Sequence, residues 1–182
     1  MLPDTGVRAW DVDQPMNIDA KRSRLSKCFG SLPARVRLVA IDFTHDVLDA
    51  TLAAHGYDRH QRTFFIWEGV MQYLDEASVR KTLDFLATAA HGSRLVFTCV
   101  RRDFLAGRPF DGQDALYRRF VAKRGIWRFG IDPADLPAFL ASCGWRVIEA
   151  PEPETLARRY IEPTGRALTC MPIERSVCAE RL

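Results

Sequence analysis

A chain of 182 residues is long enough for one domain with a real core, and 47% hydrophobic with 27% charged residues is an ordinary water-soluble composition. Lysine and arginine number 26 against 23 aspartates and glutamates, a net charge of +3 that is too small to argue for nucleic-acid binding. No apolar run approaches the roughly 18 residues a membrane span needs, and MLPDTGVRAW lacks a signal peptide's pattern, so the expectation is a cytoplasmic protein with neither membrane nor nucleic-acid partner.

Val7 to Val12, VRAWDV, reads as a short strand. A helix follows over Gln14 to Phe29, with Met16, Ala20 and Leu25 as apolar positions, Pro15 in its first turn and Gly30 as its stop. Val36 to Ile41 is a nearly continuous apolar strand that halts at Asp42. The helix from Asp46 to His55 places Val47, Leu48 and Leu52 at helical spacing and ends at Gly56. Thr63 to Trp67 is the next strand, and it stops at Glu68-Gly69. A carboxylate directly after four apolar residues is expected to be half-buried. Asp75 then caps an amphipathic helix whose Val79, Leu83, Leu86 and Ala90 share one face, closed by Gly92.

Arg94 to Val100 is a further strand. The segment from Arg101 to Arg128 is the least regular, with a helical stretch over Ala115 to Lys123. It carries eight basic residues against three aspartates. The plain reading is a solvated helix face; the sharper one is a site for an acidic partner. Asp132 or Asp135 caps a helix over Leu136 to Ser142, stopped by Gly144. A strand over Trp145 to Ile148, a helical stretch over Glu154 to Tyr160 and a last strand over Glu174 to Ala179 complete the chain.

Strands alternating with helices, the middle strands apolar on both faces, are the pattern of a doubly wound α/β sheet. Ligands of such sheets bind outside the carboxyl ends of the strands. Three of those ends read Asp11-Val12-Asp13, Asp42-Phe43 and Glu68-Gly69. Carboxylates there suit hydroxyls and amines rather than phosphates, and neither GxGxxG nor GxxxxGK[ST] occurs. The five cysteines form no CxxC pair and have no histidine close by, which points to reduced thiols and no metal site. His45, His55, His60 and His91 read as surface residues, and no Cys-His or Ser-His-Asp arrangement is visible.

WDVDQP (Trp10 to Pro15), LVAIDFTHD (Leu38 to Asp46) and FFIWEGVMQYL (Phe64 to Leu74), in that order and spacing, resemble the leucine carboxyl methyltransferase-like family. Its bacterial branch of S-adenosyl-L-methionine-dependent O-methyltransferases is the nearest in look. FGIDPADLPAFLASCGWRVIE and LARRYIEPTGRAL extend the resemblance over nearly the whole chain. It implies a Rossmann-like class I methyltransferase fold, with a doubly wound, mostly parallel sheet and an antiparallel C-terminal strand, as a single, partial domain over residues 1–182. It also implies S-adenosyl-L-methionine as cofactor and a small-molecule or protein-carboxylate methyl acceptor, and leaves the oligomeric state open.

Carried over position by position, the resemblance gives Asp13 the cofactor's ribose hydroxyls and Asp42 the adenine amine. It gives the backbone N–H of Phe43 a ring nitrogen, Glu68 the methionine end, and Tyr73 a catalytic place near the reacting carboxylate. Where the family usually has glutamate, this chain has the shorter Asp11. Plainer readings stand beside these: Asp13 as a helix-terminus carboxylate, Asp42 as a turn residue, Tyr73, Trp10 and Trp67 as packing. The family's first strand and glycine-rich loop have no counterpart here. The resemblance therefore implies an N-terminally incomplete fold, with its sheet split into a pair of strands and a larger set. It also implies weakened cofactor binding, and an alternative life as a non-catalytic binding module.

Overall fold

In the computed structural model, which describes residues 6–42 and 45–182, six strands form two sheets, a pair and a set of four, the division expected from the sequence. The chain falls into two compact units, Met1–Asp58 and Arg59–Leu182. Each is described by itself.

In the first unit β1 (Ala9–Asp13) and β2 (Val36–Ala40) pair in parallel, from Ala9 opposite Val36 to Asp13 opposite Ala40. Parallel neighbours need a crossover, and α1 (Pro15–Phe29) supplies it. Proline opens this helix, where a missing N–H costs nothing, and Gly30 closes it at φ 77°, donating its N–H to the Ser26 carbonyl. The buried face of α1 is not the expected one. Ile18 is buried, Lys21 and Leu25 are half-buried, and Met16 is 81% exposed. The spacing 18, 21, 25 is also helical, and the strand pair covers that face. Val39 and Ile41 are fully buried, and α2 (Leu48–Ala54) adds Leu52 to the small core. Trp10 is half-buried rather than in the core: its ring meets Tyr57 edge-on at 5.8 Å, and its indole N–H donates to the His55 carbonyl at 2.9 Å.

The second unit is built on β3 (Phe64–Trp67), β4 (Arg94–Val100), β5 (Trp145–Glu149) and β6 (Glu174–Arg181), in the order β3-β4-β6-β5. β3 and β4 are parallel, and β6 runs antiparallel to both β4 and β5. This is the antiparallel C-terminal strand expected from the resemblance, and it continues to Arg181 rather than ending at Ala179.

The main core lies on one face of this sheet. Leu95, Phe97 and Cys99, alternating along β4, meet Val79 and Leu83 of α3 (Glu76–Leu86), together with Trp145 and Val177. Asp75 caps α3 as expected, its carboxylate accepting the Ser78 N–H at 2.8 Å. The helix ends at Leu86, well before Gly92. A smaller cluster forms around Phe104 of α4 (Arg102–Leu105), with Val100 and Ile173. α5 (Asp114–Leu116) runs directly into a π-helical turn, Tyr117–Ala122. α6 (Leu136–Ser142) follows the expected bounds, and α7 (Pro153–Leu156) runs into a second π-helical turn, Ala157–Ile161. Among the described residues no helix is long and apolar enough to cross a membrane.

Candidate functional site

The carboxyl ends of β1 and β2 carry three acidic side chains of the first unit, Asp11, Asp13 and Asp42. Asp13 and Asp11 lie two residues apart on β1 and so share a face. One oxygen of Asp13 accepts the Gln14 N–H at 2.7 Å and the Asn17 side-chain amide at 2.8 Å. That oxygen serves the start of α1, as the plainer reading of the sequence had it. The other oxygen takes no bond among the described residues, so the carboxylate is held in place with acceptor capacity to spare. Asp11 is committed elsewhere: its two oxygens receive the Lys21 ammonium at 2.8 and 2.6 Å. Asp42 is exposed and opens a tight turn. Its carbonyl accepts the N–H groups of His45 and Asp46, and its own N–H donates to the Asp46 carboxylate at 2.8 Å. Phe43 lies outside the described residues.

In the second unit Glu68 follows β3 directly, and the expectation of a half-buried carboxylate fails. β3 is an edge of its sheet among the described residues, so only Phe65 and Trp67 face the core; Phe64 is 59% and Ile66 71% exposed. Glu68 is exposed and has no hydrogen-bond or ion-pair partner among the described residues. Gly69 beside it adopts φ 68°, a left-handed conformation that favours glycine, and a Cβ there would meet nothing within 4 Å. The Gly69 N–H is tied to the Thr98 hydroxyl on β4 at 2.9 Å, which fixes the turn that presents Glu68. Sequence reasoning missed Thr98; a hydroxyl facing a neighbouring strand's end was the available signal.

The chain then makes a short 3₁₀ turn, Met71–Tyr73, anchored by buried Met71 and Gln72. The Gln72 carbonyl accepts the Arg128 N–H at 2.7 Å, joining this turn to the irregular segment. Tyr73 is 44% exposed, with its ring edge-on to Trp127 at 6.4 Å, and Trp127 in turn stacks on Phe120 at 4.8 Å. Its hydroxyl is thus carried on a fixed aromatic mount.

At the carboxyl end of β4 a charged clamp closes the strand. Asp103 receives the Arg101 fork at 2.9 and 2.6 Å and Arg108 at 2.8 Å, while its own N–H donates to Asp132 at 3.1 Å. The hydrogen bonds from Arg101 lead in holding the Asp103 carboxyl down to about 2, against an ordinary 3.8. A carboxyl depressed by folding adds stability above its unfolded pKa, and that stability is lost as pH falls through the folded value. The unfolding free energy is therefore expected to fall as pH drops from about 4 to about 2, by about 1 kcal/mol after solvent screening. Asp103→Asn should flatten that dependence, which urea titrations at stepped pH would check. In the same strand burial pushes the Cys99 thiol up to about 12, so it is no thiolate nucleophile at neutral pH. All four histidines are exposed, as expected.

Residues 2–87 match the leucine carboxyl methyltransferase family. Two relatives bear the name "Putative S-adenosyl-L-methionine-dependent methyltransferase". The one from Mycolicibacterium smegmatis is 33% identical over 159 residues, covering 84% of this chain and 51% of the relative. The one from Mycobacteroides abscessus is 32% identical over 173 residues, covering 90% and 54%. The chain thus spans about half the length of these curated relatives. Among solved structures, mitomycin 7-O-methyltransferase is similar with a TM-score of 0.62 at 19% identity, over 97% of this chain and 42% of that one. An O-methyltransferase of neocarzinostatin biosynthesis, solved with S-adenosyl-L-homocysteine and 1,4-dihydroxy-2-naphthoic acid, gives 0.58 at 15% identity over 96% and 42%. At these identities the likeness establishes the fold, that of the class I methyltransferases.

Proposed function

Because residues 2–87 match the leucine carboxyl methyltransferase family, we propose that at its relatives' full length the protein is an S-adenosyl-L-methionine-dependent O-methyltransferase. The 182 residues are proposed to be part of one such domain, acting on a carboxylate of a small molecule. The observation that carries the reading is Glu68: an exposed carboxylate with no partner among the described residues, on a fixed turn at a strand's carboxyl end, beside a glycine with open space above it.

The residues fit the cofactor by their chemistry. When bound, S-adenosyl-L-methionine supplies an electrophilic methyl group on a sulfonium centre. Glu68 offers negative charge to the cationic methionine end. Asp13, fixed through one oxygen, accepts ribose hydroxyls with the lone pairs that remain. Asp42 accepts the adenine amine, and the Phe43 N–H serves a ring nitrogen. Tyr73 positions the acceptor from its mount on Trp127. Asp11 is left to a structural role by its pairing with Lys21. A carboxylate acceptor is already ionised at neutral pH, so the reaction needs alignment more than a general base.

Acceptor class is tested on a version of the protein completed to the relatives' length, with radiolabelled cofactor and a panel of small carboxylic acids and phenols. A base-labile methyl ester is expected; label found only in base-stable ethers would overturn the carboxylate assignment.

A further inference from the structure

Seven of the eight basic residues of the irregular segment fall into two groups. Arg101, Arg102 and Arg108 are held by carboxylates: the first and third by Asp103, the second by Asp135 at 3.2 Å. Arg118, Arg119, Lys123 and Arg124 make no ion pair among the described residues. Asp114, four residues before Arg118, does not engage it. All four cations are exposed, and with Ala115 they line an open groove of about 320 Å³.

The backbone explains why they gather. Tyr117–Ala122 is π-helical, and the Lys123 N–H donates to the Arg118 carbonyl, five residues back, at 3.0 Å. Residues five apart then lie near one another, as Arg118 does by Lys123, and Arg119 and Arg124 line the same groove. In an α-helix the same pairs would be rotated about 140° apart. Bringing like charges together on a helix surface is destabilising, and among the described residues no carboxylate pairs with these four; Arg119 lies over the Phe120 ring at 5.1 Å. π-Helical turns of this kind are frequent at functional sites.

We propose that this groove binds a small ligand bearing two or more phosphate groups. Four cations in so small a space ask for dense negative charge. A phosphate monoester brings up to two charges and three acceptor oxygens, where a carboxylate brings one charge. Three of the four are arginines, whose forks match phosphate oxygens bidentately. The groove shares no residue with those proposed for the methyl donor, and the inference does not depend on them.

The test uses the 182-residue protein and inorganic tripolyphosphate, with citrate as the carboxylate control at equal ionic strength, read by calorimetry and thermal shift. Tripolyphosphate should bind, raise the melting temperature and weaken with added salt. The double change Arg118→Ala and Lys123→Ala, or separately Arg124→Gln, should reduce affinity at least about tenfold without lowering the unliganded melt. The same pair of changes at Arg22 and Arg24 on α1 should leave it intact. Equal affinity for citrate, unaltered binding by the groove variants, or tighter binding of a short oligonucleotide to the same residues would each overturn the proposal.

Discussion

Replacing Trp145 by alanine is expected to destabilise the Arg59–Leu182 unit by about 3–5 kcal/mol. Trp145 is fully buried at the first position of β5, where it joins sheet and helix. Its ring meets Phe65 of β3 edge-on at 6.4 Å, and its indole N–H donates to the Leu83 carbonyl at 3.2 Å. Truncation opens a cavity beside Val79, Leu83 and Leu95 and leaves that carbonyl without its side-chain donor. Trp145→Phe keeps most of the volume while losing the donor and part of the ring, so it should cost less, about 1–2 kcal/mol. Urea denaturation followed by circular dichroism separates the two. A loss under 1 kcal/mol for the alanine change would show that this residue is not the keystone of the core.

Replacing Glu68 by alanine, in a version completed to the relatives' length, should weaken S-adenosyl-L-homocysteine binding about ten- to a hundredfold. That is the worth of a hydrogen bond to a charged group, about 1.5–3 kcal/mol. The fold should not notice. The side chain is exposed and has no partner among the described residues, and the turn under it is held by Gly69 and Thr98 rather than by the carboxylate. Thr98→Val makes the complementary case: the carboxylate stays, the Gly69 N–H loses its acceptor, and affinity should fall less than with Glu68→Ala. A Glu68→Ala protein with unchanged melting temperature and unchanged affinity would refute the assignment of this residue.

The elements that could be read from the sequence are those with punctuation. Gly30, Asp75 and Gly144 stand where a left-handed turn or a cap is required, and the helix and strand bounds beside them fall within a residue or two of expectation. What the sequence concealed depends on neighbours. Phe64 to Trp67 is apolar on both faces, but periodicity does not say whether both faces are covered; Phe64 and Ile66 are exposed, and Glu68 with them. The pairing of Asp11 with Lys21 joins a strand to the helix that returns over it, a contact ten residues apart that no local spacing announces. The π-helical turns are equally silent, because shifting a hydrogen bond from four to five residues leaves composition untouched. Met16 misled for a related reason: two helical faces fit the apolar pattern, and the strand pair selected the one with Ile18.

The resemblance to methyltransferases was carried by motifs at strand ends, and the fold bears it out through the parallel pair β1-β2 and the antiparallel β6.

The most direct measurement is calorimetric titration of S-adenosyl-L-homocysteine and of NAD into the 182-residue chain and into the version completed to the relatives' length. The account predicts saturable, micromolar binding of S-adenosyl-L-homocysteine by the completed protein, weaker binding by the 182-residue chain, and none of NAD at the same concentrations. Preference for NAD, or absence of S-adenosyl-L-homocysteine binding by the folded, completed protein, would contradict it.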